Sequence, residues 1–174
     1  MPGRRSVGDS ARVPRFYVMV GVPGSGKTTI ARSRFPDALR ISLDDLRLMF
    51  TGRAFDPTVE PAVATAAEAL NESLAVFAAA KKVDVLFDAT NVSRKRRAGL
   101  IATARQHGLS PIAVYLTLPI GTALARNRRR LNPVPPMVIH RFSRILDPPS
   151  LDEGFDEVIV IANGDDGPVT EPTA

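Results

Sequence analysis

Residues 21–29 read Gly21-Val22-Pro23-Gly24-Ser25-Gly26-Lys27-Thr28-Thr29, which has the form G-x-x-x-x-G-K-[ST]. The apolar run Phe16-Tyr17-Val18-Met19-Val20 leads into it and reads as a strand. A glycine-free amphipathic segment from Thr28 to Arg34 leads out and reads as a helix. Strand, loop and helix in that order are the setting in which this pattern wraps a phosphate chain. The glycines allow turns that aim successive N–H groups between Val22 and Thr28 inward, at a helix N-terminus already favourable to negative charge. Lys27 then reaches the β and γ phosphates of a nucleotide, and the Thr28 hydroxyl ligates Mg²⁺. The expected cofactors are ATP and Mg²⁺.

Working outward, Ala38-Leu39-Arg40-Ile41-Ser42 reads as a second strand, and Asp44-Asp45-Leu46-Arg47 beyond it opens a helix towards Phe50. Ligand groups in an open parallel α/β sheet sit outside the carboxyl ends of strands. Asp44 therefore stands where an acceptor hydroxyl can meet a γ-phosphate, while Asp is also a favoured helix cap, so either Asp44 or Asp45 fits that duller role. Arg47 shares a helical face with Asp44. It suits a substrate phosphate, or a simple pairing with Asp44.

Residues 51–57 read as a loop, and residues 58–82 as an alanine-rich helix packed on the sheet through Val63, Ala67, Leu70, Leu74 and Phe77. The run Val83-Asp84-Val85-Leu86-Phe87-Asp88 reads as a third strand ending in a carboxylate, suited to hold Mg²⁺ or its water. Ala89 follows where a motor-type ATPase needs Glu, and no Asn-Lys-x-Asp guanine-reading sequence occurs. Both features favour phosphoryl transfer to an acceptor. Ser93 reads as the cap of a helix running to about His107, with Arg94, Lys95, Arg96 and Arg97 crowded into its first turn. Cations are disfavoured at that end of a helix, so a substrate anion or plain solvation must compensate them.

A fourth strand, Ser110 to Leu116, precedes two helices, Ile120 to about Arg129 and Met137 to Leu146, and a fifth strand covers Asp156 to Ile161. The arginine-loaded hinge between those helices, Arg126 to Pro136, suits a lid that brings guanidinium groups onto a triphosphate. His107 and His140 read as ordinary surface or packing residues.

The 174 residues, 44% of them hydrophobic, suffice for one core. Cysteine is absent, which excludes disulfides, thiolate metal sites and thiol nucleophiles. No apolar run has the length of a membrane span, and no secretory h-region is present, so a soluble cytoplasmic protein is the expectation. The net charge of +5 comes from 19 Arg and 4 Lys against 18 acids. Arginine suits phosphate-rich partners, although a GC-rich genome produces the same bias. Residues 1–14 read as a disordered basic arm and 163–174 as a disordered acidic tail, leaving 15–162 as the folded domain. Oligomeric state is not legible.

Taken together, Gly21 to Thr29, Asp44-Asp45-Leu46-Arg47, Phe87-Asp88-Ala89-Thr90-Asn91 with Arg96-Arg97, Arg126 to Arg130, and Val134-Pro135-Pro136 resemble the polynucleotide 5′-hydroxyl kinase family, whose nearest members are phage and bacterial RNA-repair kinases. The resemblance implies a three-layer αβα P-loop kinase fold with a five-stranded, mostly parallel sheet of order 2-3-1-4-5 and an Arg-rich lid. It implies that Asp44 is the general base, that Arg47, Asp88 and Asn91 serve the acceptor site, and that Arg126 and Arg130 steady the phosphates beside Lys27. The acceptor it implies is a 5′-hydroxyl end of RNA or DNA. Three rivals stay open: a kinase of a small metabolite, antibiotic or nucleotide sugar, a nucleotide-binding regulatory module without an acceptor, and a plain nucleic-acid-binding protein. With no Asp-x-Asp-x-Thr phosphatase motif, the chain reads as a free-standing kinase.

Overall fold

The computed structural model describes residues 12–53, 57–130 and 133–163. Five strands, β1 (Arg15–Val20), β2 (Leu39–Ser42), β3 (Val85–Asp88), β4 (Ser110–Thr117) and β5 (Glu157–Ala162), form one sheet in the order β2-β3-β1-β4-β5. Every neighbouring pair is parallel, so the sheet is wholly rather than mostly parallel. The six helices of the described chain are α1 (Lys27–Arg34), α2 (Leu43–Thr51), α3 (Glu60–Lys81), α4 (Arg94–Gln106), α5 (Ile120–Arg128) and α6 (Pro136–Ile145). A single 3-10 turn, Leu151–Glu153, precedes β5.

Alternation along the central strand builds two cores. Phe16, Val18 and Val20 face α3 and α4, packing with Val63, Ala67, Ala75, Ala78, Leu100 and Ala104. Tyr17 and Met19 face the other way, with Ala31 of α1, Ile112, Val114 and Ile161. Both faces of β1 are covered, which is why its sequence is a continuous apolar run without polar alternation. On α3 the buried stripe is Val63, Ala67, Asn71, Ala75 and Ala78, whereas Leu70 and Phe77 are exposed. The apolar spacing expected for this helix is therefore displaced towards its small residues, because alanine lets the helix axis approach the sheet closely. A third cluster, Val22, Ala123 and Ile139, joins the phosphate loop to α5 and α6.

Both ends make contacts with the sheet where they are described. Arg12 pairs with Asp84 and the Pro14 carbonyl accepts from the Ser110 N–H, contacts that tie residues 12–14 to the sheet. At the other end, the Asn163 N–H donates to the Thr117 carbonyl, extending the β4–β5 pairing. Residues 1–11 and 164–174 of the expected arm and tail lie outside the described residues.

Candidate active site

The phosphate loop leaves β1 at the carboxyl edge of the sheet, and its backbone explains its glycines. Gly24 has φ +85°, and a Cβ there meets the Ala123 carbonyl oxygen at 2.6 Å. Gly26 has φ +90°, and a Cβ there meets the Asn163 amide nitrogen at 2.5 Å. Side chains are excluded at both positions by left-handed backbone and by close neighbours. Ser25 is buried, and its carbonyl accepts from Asn163 Nδ2 at 2.6 Å. Thr29 is exposed on the outer side of α1. Asn163 is a contact that local sequence signals do not reveal, since by composition it belongs with the acidic tail.

Lys27 is buried, and its Nζ donates to the carbonyls of Gly21 and Val22, each at 2.9 Å, and to Ser25 Oγ at 3.4 Å. Burial lowers its pKa from the ordinary lysine value to about 8, against the opposing pull of Asp88. One residue on, Thr28 Oγ1 donates to Asp88 Oδ2 at 2.9 Å, across 60 residues of sequence. A hydroxyl and a carboxylate side by side form a hard-oxygen pair that suits Mg²⁺, which needs few protein ligands when phosphates and water supply the rest. Among the described residues there is no group of three or more His, Cys, Asp or Glu side chains that could hold a metal. The Thr28–Asp88 pair therefore fits a nucleotide-borne ion and not a free-standing metal site. Asp88 Oδ2 also accepts from Arg40 Nη1 at 2.6 Å, a partner that the sequence reading missed.

The second strand ends at Ser42 and leads directly into α2, which carries Asp44, Asp45 and Arg47. Ser42, not Asp44 or Asp45, caps α2: its side chain accepts from the Asp45 N–H at 3.2 Å. The hydroxyl reaches the orphan N–H at N3 and relieves the two carboxylates of capping. Asp44 in the first turn is thereby not committed to capping, and its side chain is 59% exposed. Arg47 Nη1 donates to Asp44 Oδ1 at 2.7 Å, while Arg47 Nε and Nη2 grip Glu60 in a fork at 2.7 and 2.9 Å. Glu60, and next Asp44, raise the Arg47 pKa further above its ordinary value. Of the two roles open to Arg47, pairing with Asp44 is the one seen, with Glu60 as an additional anchor from α3.

The lid arginines approach from the opposite side. Arg130 Nη2 lies 3.9 Å from Asp44 Oδ2, and Arg126 Nη1 lies 3.8 Å from where a Cβ on Gly26 would stand. Asn127 between them is buried. Its Nδ2 donates to the Val134 carbonyl at 2.8 Å, and its Oδ1 accepts from the Val134 N–H at 3.0 Å. This two-way amide clasp ties the end of α5 to Val134, just before α6.

Asn91 and the basic first turn of α4 both make contacts within the chain. Asn91, at φ +43°, is buried and its Nδ2 donates to the Met19 carbonyl at 2.8 Å, tying the ends of β3 and β1 together. The basic first turn of α4 is also satisfied within the chain. Arg97 is fully buried, forked onto Glu153 at 2.7 Å for each nitrogen, and donates to the carbonyls of Asn91 and Asp147. Arg94 pairs with Asp152, and Arg96 lies over the Phe87 ring. Anions of residues 147–153 offset the charges of Arg94 and Arg97 at this unfavourable helix start.

A family model described as an AAA domain matches residues 16–149. The chain belongs to this AAA domain family. No curated protein matches the chain significantly. Among solved structures, this AAA domain is similar to a chain of the Pnkp1/Rnl/Hen1 RNA repair complex, with a TM-score of 0.66 and 23% identity over 82% of this chain and 47% of that one. It is similar to a gluconokinase from Sinorhizobium meliloti 1021 (TM-score 0.56, 21% identity, 88% of this chain and 85% of that one). It is also similar to Kti12 from Chaetomium thermophilum, solved with ADP-AlF3 (TM-score 0.61, 19% identity, 84% and 88%). The AAA domain spans under half the length of the RNA-repair chain it matches. What these likenesses share is the P-loop kinase fold, and that fold implies nucleotide binding. No helix among the described residues is long and apolar enough to cross a membrane.

Proposed function

We propose that this AAA domain is an ATP-dependent kinase that transfers the γ-phosphate to the 5′-hydroxyl end of RNA or DNA. The observation that carries the reading is the neighbourhood of Asp44. Its carboxylate stands at the end of β2, bonded by Arg47 on the acceptor side and approached by Arg130 from the lid. In the reaction, the acceptor hydroxyl gives its proton to Asp44 as its oxygen bonds to the γ-phosphorus. The bond from that phosphorus to the β–γ bridging oxygen breaks, and ADP departs. Lys27, Arg126 and Arg130 offset the charge that spreads over the phosphoryl oxygens, in a reaction that depends on positioning and charge neutralisation more than on covalent chemistry. Mg²⁺ held by Thr28 and Asp88 supplies further charge neutralisation when bound. For the acceptor, Arg47 exchanges part of its internal pairing for a strand phosphate, a bidentate contact for which guanidinium is suited.

A polymer is favoured over a small acceptor by the exposed cations of the lid. Arg128, Arg129, Arg141 and Arg144 are exposed, and none of them pairs with a carboxylate among the described residues. A kinase of a small metabolite is the second reading, favoured by the near-complete mutual coverage with the gluconokinase. The test gives the purified protein γ-labelled ATP, Mg²⁺, 5′-hydroxyl oligonucleotides, and a panel of sugars, polyols and nucleosides. Label is expected on the oligonucleotides, and Asp44→Ala is expected to lower turnover by at least about a hundredfold, as for loss of a general base, with nucleotide affinity retained. Label confined to small acceptors overturns the polynucleotide reading. Full turnover in the Asp44→Ala variant removes Asp44 as the base.

A further inference from the structure

Asp88 has a partner that a nucleotide-binding loop does not require. Arg40 lies on the edge strand β2, where it registers against Leu86 of β3, and Ser42 registers against Asp88. On a sheet face, residue i and the neighbour two beyond its direct partner are within reach of a long side chain. Arg40 and Asp88 are such a diagonal pair. The guanidinium puts Nη1 2.6 Å from Asp88 Oδ2, the same oxygen that accepts from Thr28. Its other nitrogen, Nη2, pairs with Asp45 Oδ2. The Asp88 side chain is only 3% exposed, Arg40 is 18% exposed, and Asp45 is 53% exposed. One cation therefore bridges a buried carboxylate and a solvated one.

A buried carboxylate is costly unless a positive charge stands beside it. Lys27 acts on Asp88 through space, but its ammonium is bonded to Gly21, Val22 and Ser25. Arg40 is the cation in direct contact. Thr28 and Arg40 converge on one oxygen, Asp88 Oδ2, so a divalent ion bridging Thr28 Oγ1 and that oxygen would take the position the guanidinium holds.

We propose that Arg40 is a positioning residue that occupies Asp88 Oδ2 in the metal's place and withdraws onto Asp45 when a divalent cation enters. The proposal rests on the reading of Thr28 and Asp88 as the metal pair. Asp45 is then the carboxylate that receives the displaced guanidinium, so that the arginine keeps an anionic partner after it leaves Asp88. Metal affinity in this chain then depends on Arg40 and Asp45, both outside the phosphate loop, as well as on the ligand pair Thr28 and Asp88.

Titration with Mn²⁺, followed by electron paramagnetic resonance in the presence of ADP, tests it without measuring activity. Arg40→Gln is expected to bind Mn²⁺ about fivefold or more tightly than the wild type, the lower end of common coupling between sites. Asp45→Asn is expected to weaken Mn²⁺ binding in the wild-type background and to have no effect in Arg40→Gln, because Asp45 acts only through the arginine. Equal Mn²⁺ affinity in Arg40→Gln and wild type overturns the proposal, as does an Asp45→Asn effect that persists without Arg40. Asp88→Asn separates the two layers. If it leaves Mn²⁺ affinity unchanged, the metal pair itself is wrong; if it weakens binding while Arg40→Gln does nothing, only the Arg40 proposal falls. Thermal melts provide a second readout. Arg40→Gln is expected to melt lower than wild type in EDTA and to regain that loss with Mn²⁺ and ADP, whereas a purely structural Arg40 leaves the loss in place. If Arg40→Gln does not fold, Arg40→Lys serves, since a lysine cannot fork onto both carboxylates, and an affinity equal to wild type in that variant likewise overturns the proposal.

Discussion

At the scale of single residues, the site is governed by how its charges are compensated before any ligand arrives. Lys27 is the clearest case, because burial favours its neutral amine and brings the pKa down to about 8. A nucleotide's phosphates act in the opposite sense and favour the ammonium. Above pH 8 the free protein has lost this proton, and binding must restore it, so affinity falls as the pH rises from about 8 towards about 10. Calorimetry of ADP binding about half a unit above that pKa, in buffers of different ionisation enthalpy, is expected to show net proton uptake that disappears in Lys27→Met. Binding without that uptake would mean that Lys27 remains charged in its cage of carbonyls. The same logic explains why Ser42 matters to Asp44. A hydroxyl cap leaves the Asp44 carboxylate uncommitted to the helix N-terminus, whereas an aspartate cap would commit its charge there.

At the scale of elements, the start of α4 has the most to teach. Four consecutive basic residues at a helix N-terminus look like a substrate-binding patch when read alone. Instead, Arg97 is buried against Glu153 and secures the segment that follows α6, since it also donates to the Asp147 carbonyl. Removing one partner of such a pair leaves the other charge uncompensated, a loss of about 3–5 kcal/mol. Glu153→Gln is therefore expected to lower the melting temperature by roughly 10 °C in calorimetry. Arg94→Gln, which touches mainly exposed acids, is expected to move it little. A Glu153→Gln variant as stable as wild type would show that the fork is dispensable. The elements themselves were legible because each follows a local rule: the apolar run of β1, the glycines before α1, the Ser93 cap and the carboxylate ending β3 all signal within a few residues. The pairings across 48 residues from Arg40 to Asp88, and across 56 from Arg97 to Glu153, follow no such rule. They depend on strand order and register, so only the diagonal between β2 and β3 brings Arg40 to Asp88.

At the scale of the whole molecule, the net charge of +5 is distributed unevenly. Arg12, Arg40, Arg47, Arg94, Arg97 and Arg105 each pair with a carboxylate of the chain. The exposed arginines without such a partner among the described residues include Arg128 and Arg129 at the end of α5, and Arg141 and Arg144 on α6. These helices pack on the phosphate loop through Val22, Ala123 and Ile139, so these four arginines are mounted on the helices beside that loop, while Arg32 and Arg34 of α1 are exposed and unpaired among the described residues elsewhere. A small neutral acceptor has no use for those four, whereas an acceptor strand with several phosphates does. Each phosphate neutralised on a single strand contributes about −0.7 to the slope of log affinity against log salt. If Arg141 and Arg144 each meet one phosphate, the double variant Arg141→Gln with Arg144→Gln is expected to make that slope shallower by about 1.4. Fluorescence anisotropy of a short 5′-hydroxyl oligonucleotide between about 50 and about 200 mM salt measures it. ADP affinity is expected to stay unchanged, because neither residue contacts the phosphate loop. An unaltered slope would detach the α6 arginines from the acceptor and return the choice between polymer and small molecule to the surroundings of Asp44.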